Sequence, residues 1–151
     1  MRRVASTIAI AAFLAAGPLY AFEAAGTDII GLHLGMSESD VVAELAHQGY
    51  AMVRAPGWIT SDTKDGRLRV VLSAEYGVTG ITYVFSGRGV GGPAGVREAI
   101  LTRFGNPDQA TPPTWCRAVG RDGLCPADQA TLTFWPESLT MRLAAGRLRA
   151  P

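Results

Sequence analysis

The stretch Arg67-Leu68-Arg69-Val70-Val71-Leu72-Ser73 alternates in polarity, and Leu68, Val70 and Leu72 share one face of an extended chain. Successive side chains of a β-strand point to opposite faces, so this alternation predicts a strand with one buried and one solvated side. The run Ile81-Thr82-Tyr83-Val84-Phe85 shows the same pattern. Because sheets with one wet face are typically antiparallel, the two runs predict antiparallel pairing.

Other short runs of alternating polarity surround these two predicted strands, which span residues 67–73 and 79–85. The others span residues 50–54, 58–61, 115–119, 130–135 and 139–143. The pair Asp65-Gly66 favours a tight turn, which makes residues 58–61 a hairpin partner of the strand that begins at Arg67.

A helix is predicted before the first group of strands. Ser37 is a suitable N-cap, and Asp40 stands three positions later, as in a capping box. Val41 and Leu45 then recur at helical spacing, and Gly49 closes the helix.

A second helix is predicted between the two groups of strands. Pro93 suits its first turn, and Val96, Ile100 and Phe104 fall on one face at intervals of four. Gly105 ends the helix, and the proline that soon follows prevents it from continuing.

The order of these elements predicts an α+β fold in one domain over residues 22–151. We expect two helix-plus-antiparallel-strand units, at about residues 28–86 and 93–144, with both helices on one face of the sheet. A shift of 55 positions lays Val41 and Leu45 onto Val96 and Ile100, which favours an internal duplication.

Residues 1–21 are typical of a secretory signal peptide. Two arginines at the start precede an apolar run over residues 4–16, then Gly17-Pro18, and a small residue at Ala21, after which we expect cleavage. The alternative is an uncleaved anchor, but the run is shorter than the ~20 residues that a spanning helix needs. The sequence therefore predicts a periplasmic or secreted protein with no membrane span in the mature chain.

Composition limits the possible partners. The chain has 151 residues, of which 48% are hydrophobic and 18% charged, which excludes a disordered chain. The formal net charge is +1, and removal of residues 1–21 takes away two arginines, leaving 12 basic and 13 acidic side chains. So balanced a charge predicts no nucleic-acid partner.

The chain has two cysteines, Cys116 and Cys125, separated by nine positions with the turn-forming pair Asp122-Gly123 between them. In an oxidising compartment two nearby thiols usually pair, so we expect a structural disulfide. The alternative is a redox pair, but catalytic pairs normally have CxxC spacing.

Two segments resemble a known family. The sequence from Ile30 through Gly35-Met36-Ser37 to Leu45 resembles the opening of the SmpA/OmlA-like (BamE-like) envelope domains. The helix end at residues 100–107 resembles the helix ends of these envelope domains. The β-lactamase-inhibitor-protein fold is similar to the fold of this family. The resemblance implies an α+β fold and a non-enzymatic envelope role in binding or assembly. Unlike the lipoprotein members, this chain has no cysteine directly after its apolar start.

Motifs for catalysis or cofactor binding are weak. The segment Gly87-Arg-Gly-Val-Gly-Gly92 matches GxGxxG, but residues 106–114 carry three prolines where the next strand of a dinucleotide-binding unit would stand. We interpret the segment as a connector and predict no cofactor. His33 and His47 show no metal-ligand spacing with other residues, so we predict no metal site and no catalytic residue.

The solvated faces of the predicted strands carry candidate binding residues. Opposite the apolar sets lie Arg67, Arg69, Thr82, Thr131, Thr133, Trp135 and Arg142. Arginine and tryptophan anchor protein interfaces, so the candidate binding residues are Arg67, Arg69, Trp135, Arg142 and Trp58. The alternative is that these residues belong to an ordinary solvated sheet face without a partner. For Trp58, the alternative is that its side chain fills the end of the core.

These observations favour an exported bacterial binding protein that recognises a protein partner in the envelope or outside the cell. It is either an envelope-assembly adaptor or an inhibitor of its partner. The alternative is a small exported hydrolase whose catalytic residues come together only in the folded chain.

Overall fold

The computed structural model describes residues 26–89 and 91–147, so the signal peptide predicted for residues 1–21 lies outside the described residues. The helices are α1 (Glu38–His47) and α2 (Gly92–Phe104). The strands are β1 (Met52–Ala55), β2 (Trp58–Thr63), β3 (Gly66–Ser73), β4 (Gly77–Phe85), β5 (Gln109–Ala110), β6 (Pro113–Cys116), β7 (Thr131–Trp135) and β8 (Thr140–Ala144).

The eight strands form one sheet in the order β1-β2-β3-β4-β8-β7-β6-β5. Every neighbouring pair among these strands is antiparallel, which confirms the α+β class and the predicted pairing. Each group of four consecutive strands forms a meander, and the two meanders meet where β4 pairs with β8. Strands dominate the fold more than the sequence pattern suggests, because β5 adds an eighth strand to the sheet.

The first helix begins as the sequence predicts. The backbone N–H of Asp40 donates to the Oγ of Ser37 at 3.2 Å, which satisfies one of the amides left unpaired at the helix start. The Oγ of Ser37 in turn donates to the Asp40 carboxylate at 2.7 Å. The chain leaves the helix through Gly49, whose φ of 76° is in the left-handed region that favours glycine.

The second helix differs from the first at its start. Its N-cap is Gly91, with φ 86°, which offers no side chain to accept a hydrogen bond. Pro93 lies in the first turn as predicted, where a missing N–H costs nothing. The helix ends at Gly105, whose N–H donates to the carbonyl of Leu101 at 2.8 Å.

One hydrophobic core lies between the helices and one side of the sheet, which we call the inner face. The inner face carries the buried side chains Ile59, Leu68, Val70, Ile81, Tyr83, Leu132, Phe134, Met141 and Leu143. Val41 and Leu45 of α1 and Ile100 of α2 belong to the same buried cluster, so both helices cover this face. Burial of each large aliphatic side chain contributes roughly 1.5–3 kcal/mol before the entropy of ordering is counted.

Two details of the strands differ from the sequence prediction. The strand expected over residues 115–119 is β6, which begins earlier, at Pro113, and ends at Cys116. The two-residue strand β5 is not predicted at all, because a pair of residues flanked by prolines at 107 and 112 shows no alternation.

The predicted disulfide is present between Cys116 and Cys125, whose Cα atoms are 5.9 Å apart. Cys116 ends β6, and the backbone N–H of Cys125 donates to the side chain of Gln109 in β5 at 3.3 Å. The bridge therefore fastens the long connection after β6 to the edge of the sheet.

We expect the double substitution Cys116→Ser with Cys125→Ser to lower the free energy of unfolding by about 2–3 kcal/mol, because a closed loop of this length limits the unfolded chain. Guanidinium denaturation of the oxidised protein and of the variant measures the difference. Addition of a reducing agent should destabilise the wild-type protein and leave the variant unchanged. Equal stabilities of the two oxidised proteins would contradict this expectation.

Candidate functional site

The side of the sheet opposite the core, which we call the outer face, carries its side chains in transverse rows. Because residues directly opposite one another on paired strands point to the same side, the register defines each row. The central row consists of Thr60, Arg69, Thr82, Arg142 and Thr133, on β2, β3, β4, β8 and β7. Arg69 and Arg142 are exposed at this row, and Thr82 lies between them.

A second row lies beside the central row and contains an ion pair. It consists of Asp62, Arg67, Val84, Thr140 and Trp135. The Nε of Arg67 donates to the Asp62 carboxylate at 2.7 Å, and this hydrogen bond raises the pKa of Arg67 above its ordinary value. Both partners are largely exposed, so the pair contributes little to stability.

Trp58 is the first residue of β2, where the strand predicted over residues 58–61 begins. It stands opposite Val71 of β3 and points to the outer face. The alternative expectation, that Trp58 fills the end of the core, is therefore wrong. The Cζ of Arg69 lies 5.3 Å from the centroid of the Trp58 ring, a cation–π arrangement. The half-buried indole and the guanidinium therefore hold each other in place.

A shallow groove of about 780 Å³ runs over the outer face of the first meander. Its lining includes Val53, Trp58, Arg69 and Val84. Val53 is 64% exposed and Val84 is 40% exposed, so apolar surface lies next to charged groups. Exposed apolar surface rimmed by polar residues is typical of a protein-binding region.

The outer face has an excess of positive charge. Arg67 is paired with Asp62, whereas no described carboxylate lies within ion-pair distance of Arg69 or Arg142. One strand, β4, separates β3 from β8, so the two guanidinium groups originate about 10 Å apart at a spacing of ~4.8 Å per strand.

All five residues that the sequence singled out belong to the outer face. They are Arg67, Arg69, Trp135, Arg142 and Trp58. The guanidinium of Arg69 lies over the Trp58 ring, but Trp135 lies on β7, about 19 Å from β2 at ~4.8 Å per strand. They therefore form a wide surface and not one compact pocket.

The residues considered for cofactor or metal chemistry lie elsewhere. Residues 26–89 and 91–147 contain no group of three or more His, Cys, Asp or Glu side chains placed to hold a metal ion. His33 and His47 are both exposed, and the Nδ1 of His33 lies 3.0 Å from the carbonyl of Leu34. Residues 87–91 lie between β4 and α2, which begins at Gly92, and Val90 lies outside the described residues. The strand that follows α2 pairs in antiparallel fashion.

The helix side of the molecule contains a cleft of about 300 Å³ that the sequence pattern did not reveal. It lies between the ends of α1 and β4 and one side of α2. Arg103 of α2 donates to the Asp28 carboxylate at 2.8 Å at one end of the cleft. Because its walls come from distant parts of the chain, no local sequence motif predicts this cleft.

Tyr83 lines this cleft and is 2% exposed. Burial raises the pKa of its phenol above the ordinary value of 10.0, the hydrogen bond with Thr63 opposes that change, and the nearby charge of Asp65 adds to it. The hydroxyl oxygens of Tyr83 and Thr63 are 2.6 Å apart.

We expect Tyr83 to make the protein less stable at alkaline pH. Because its pKa is raised in the folded state, the unfolded chain loses this proton first, so stability falls as pH rises above the ordinary value of 10.0. The difference in absorbance at 295 nm between wild type and Tyr83→Phe follows the titration of this phenol. In the folded protein its midpoint should lie above pH 10.0, and in denaturant it should lie near pH 10. A folded-state midpoint at or below 10.0 would contradict the assignment.

No family model, curated protein or solved structure matches this chain. Neither helix within residues 26–89 and 91–147 has the length and apolar character required to cross a membrane.

Proposed function

We propose that this chain is an exported protein that binds a folded protein partner through its outer face, without catalysis. The observation that carries the proposal is the central row, in which Arg69 and Arg142 flank Thr82 on a helix-free side of the sheet. The partner presents acidic side chains next to apolar surface.

Export is supported by two independent features. Residues 1–21 have the basic start, apolar run and small final residue of a secretory signal. The bond between Cys116 and Cys125 is of a kind that forms and persists in oxidising compartments. We therefore place the mature protein in the periplasm or outside the cell.

The dimensions of the outer face suit a folded partner. The six strands from β1 to β7 have five spacings of ~4.8 Å and span about 24 Å, and five residues at ~3.3 Å give about 17 Å along the strands. Beyond β7, Thr114 and Cys116 of β6 are buried on this side. A standard protein interface buries about 800 Å² on each partner, which is of the same order as this area. A small molecule would occupy only a fraction of such a surface.

The chemistry of the face indicates what the partner offers. Arg69 and Arg142 supply two cations, while Trp58 and Val53 supply apolar contacts in the adjoining groove. Desolvated arginine and tryptophan side chains commonly carry most of the binding energy of an interface. Carboxylates on the partner would pair with the arginines and set the orientation, since such pairs give specificity and fast association.

The role within this class is an envelope-assembly adaptor or an inhibitor of the partner. The resemblance to SmpA/OmlA-like envelope domains and to the β-lactamase-inhibitor-protein fold supports it. The succession of one helix and four strands occurs twice, which supports an arrangement of two units. In that arrangement the pairing of β4 with β8 makes one continuous binding face from both units.

We expect the double substitution Arg69→Glu with Arg142→Glu to abolish partner binding, because it places two negative charges against the acidic groups of the partner. The mature wild-type chain captures the partner from envelope extract, and mass spectrometry identifies it. Calorimetry with the purified partner should then show a loss of affinity of at least 100-fold for the variant. The binding of the wild-type chain should also weaken as salt rises.

The matched control is Arg88→Glu with Arg97→Glu, which changes the net charge equally at exposed positions outside the outer face. Its affinity should stay within about twofold of wild type. Both variants should keep the melting temperature close to the original, since surface substitutions change stability by only about 0.5 kcal/mol each. Equal affinities of the two double variants would refute the proposal.

A further inference from the structure

The cleft on the helix side has the size and character of a small-molecule site. Its volume of about 300 Å³ equals that of roughly ten water molecules at ~30 Å³ each, enough for a ligand of about ten to fifteen heavy atoms. Its apolar walls include Ile30, Phe85, Val96 and Ile100. Pockets of this kind hold an apolar body and fix its orientation with a few polar groups.

Two side chains at one end of the cleft donate hydrogen bonds to oxygens of the protein. Gln48 donates from its amide nitrogen to the carbonyl of Ile30 at 2.9 Å and to the Glu44 carboxylate at 2.6 Å. Arg103 donates to both the carbonyl and the carboxylate of Asp28, at 3.2 and 2.8 Å. These two nitrogen atoms are therefore engaged within the protein.

Acceptors are available at the other end. Thr63 has a single hydroxyl hydrogen, which it donates to the carbonyl of Gly66 at 3.0 Å. With that hydrogen on Gly66, the hydroxyl of Tyr83 is the donor in the 2.6 Å contact with Thr63; with the hydrogen turned toward Tyr83, Thr63 is the donor. When Tyr83 is the donor, its oxygen keeps a lone pair that can accept a hydrogen bond from a ligand.

A carboxylate lines the same cleft as this phenol. Asp65 lines the cleft in the turn between β2 and β3 and is half-buried. No described cation lies within ion-pair distance of its carboxylate. The ionisable side chains that line the cleft are Asp28, Asp65 and Arg103, apart from the tyrosines, so their sum is one negative charge.

From this arrangement we infer that the cleft binds a compact apolar molecule that carries a protonated amine. The ammonium group donates to the Asp65 carboxylate and to the phenol oxygen of Tyr83, and the apolar body lies against Val96 and Ile100. Asp65 and Tyr83 both line the cleft, and burial, more than the charge of Asp65, raises the pKa of that phenol. The site lies on the opposite side of the sheet from the proposed protein-binding surface and does not depend on it.

Three probes of equal length test the class of ligand: 4-phenylbutylamine, 4-phenylbutan-1-ol and 4-phenylbutanoate. Calorimetry on the mature, oxidised chain at neutral pH should show that the amine binds at least tenfold more tightly than the alcohol. The carboxylate should bind most weakly, because it repels Asp65. Equal binding of amine and alcohol, or no binding of the amine at millimolar concentration, would overturn the inference.

Asp65→Asn removes the charge while keeping a side chain that suits a turn. We expect the amine to lose at least tenfold in affinity and the alcohol to change by less than threefold. The matched control is Asp62→Asn, which makes the same change in the same hairpin but on the outer face. It should leave the affinity for the amine within about twofold of wild type, and an equal loss in both variants would contradict the site.

Ala99→Phe provides a second test, because the added ring occupies the cleft from its α2 wall. All probe binding should be lost in this variant. Retained affinity for the amine would place its site elsewhere and overturn the inference. Partner capture through the outer face should continue in Ala99→Phe, so failure of this inference and failure of the proposed function are distinguishable.

Discussion

The antiparallel pairing of β4 with β8 joins the first four strands of the chain to the last four. Ile81 lies opposite Leu143, and Tyr83 lies opposite Met141, at the centre of the inner face. These four side chains are almost completely buried, so the seam between the meanders is also the middle of the core. Without this pairing each meander would expose a hydrophobic edge strand, a recognised site of aggregation.

The same pairing decides which residues reach the outer face. Thr82 lies opposite Arg142, and this match completes the row that begins at Arg69. A slip of one residue would turn Arg142 into the core and Leu143 out to solvent, because side chains alternate with a period of two. Burial of an unpaired guanidinium costs several kcal/mol, so the hydrophobic pattern strongly favours the observed register. The proposed binding surface is thus a consequence of how the core packs.

Local patterns in the sequence predict much of this fold. Alternation around Val70 assigns both faces of β3, and the Ser37 cap fixes the start of α1, since both depend only on near neighbours. The pairing of Thr82 with Arg142 joins residues 60 positions apart, and no local pattern encodes it. The helix-side cleft cannot be predicted from local patterns for the same reason. Asp65 and Arg103 lie far apart in the chain, and only folding brings them to one cavity.

Nuclear magnetic resonance of the mature chain tests the register of the β4–β8 seam directly. Backbone nuclear Overhauser effects should connect Thr82 with Arg142 and Tyr83 with Met141, as expected for residues directly opposite each other in an antiparallel ladder. These contacts would support one sheet whose arginine row faces solvent. Contacts shifted by one residue, or none between the two strands, would contradict the account of both the core and the outer face.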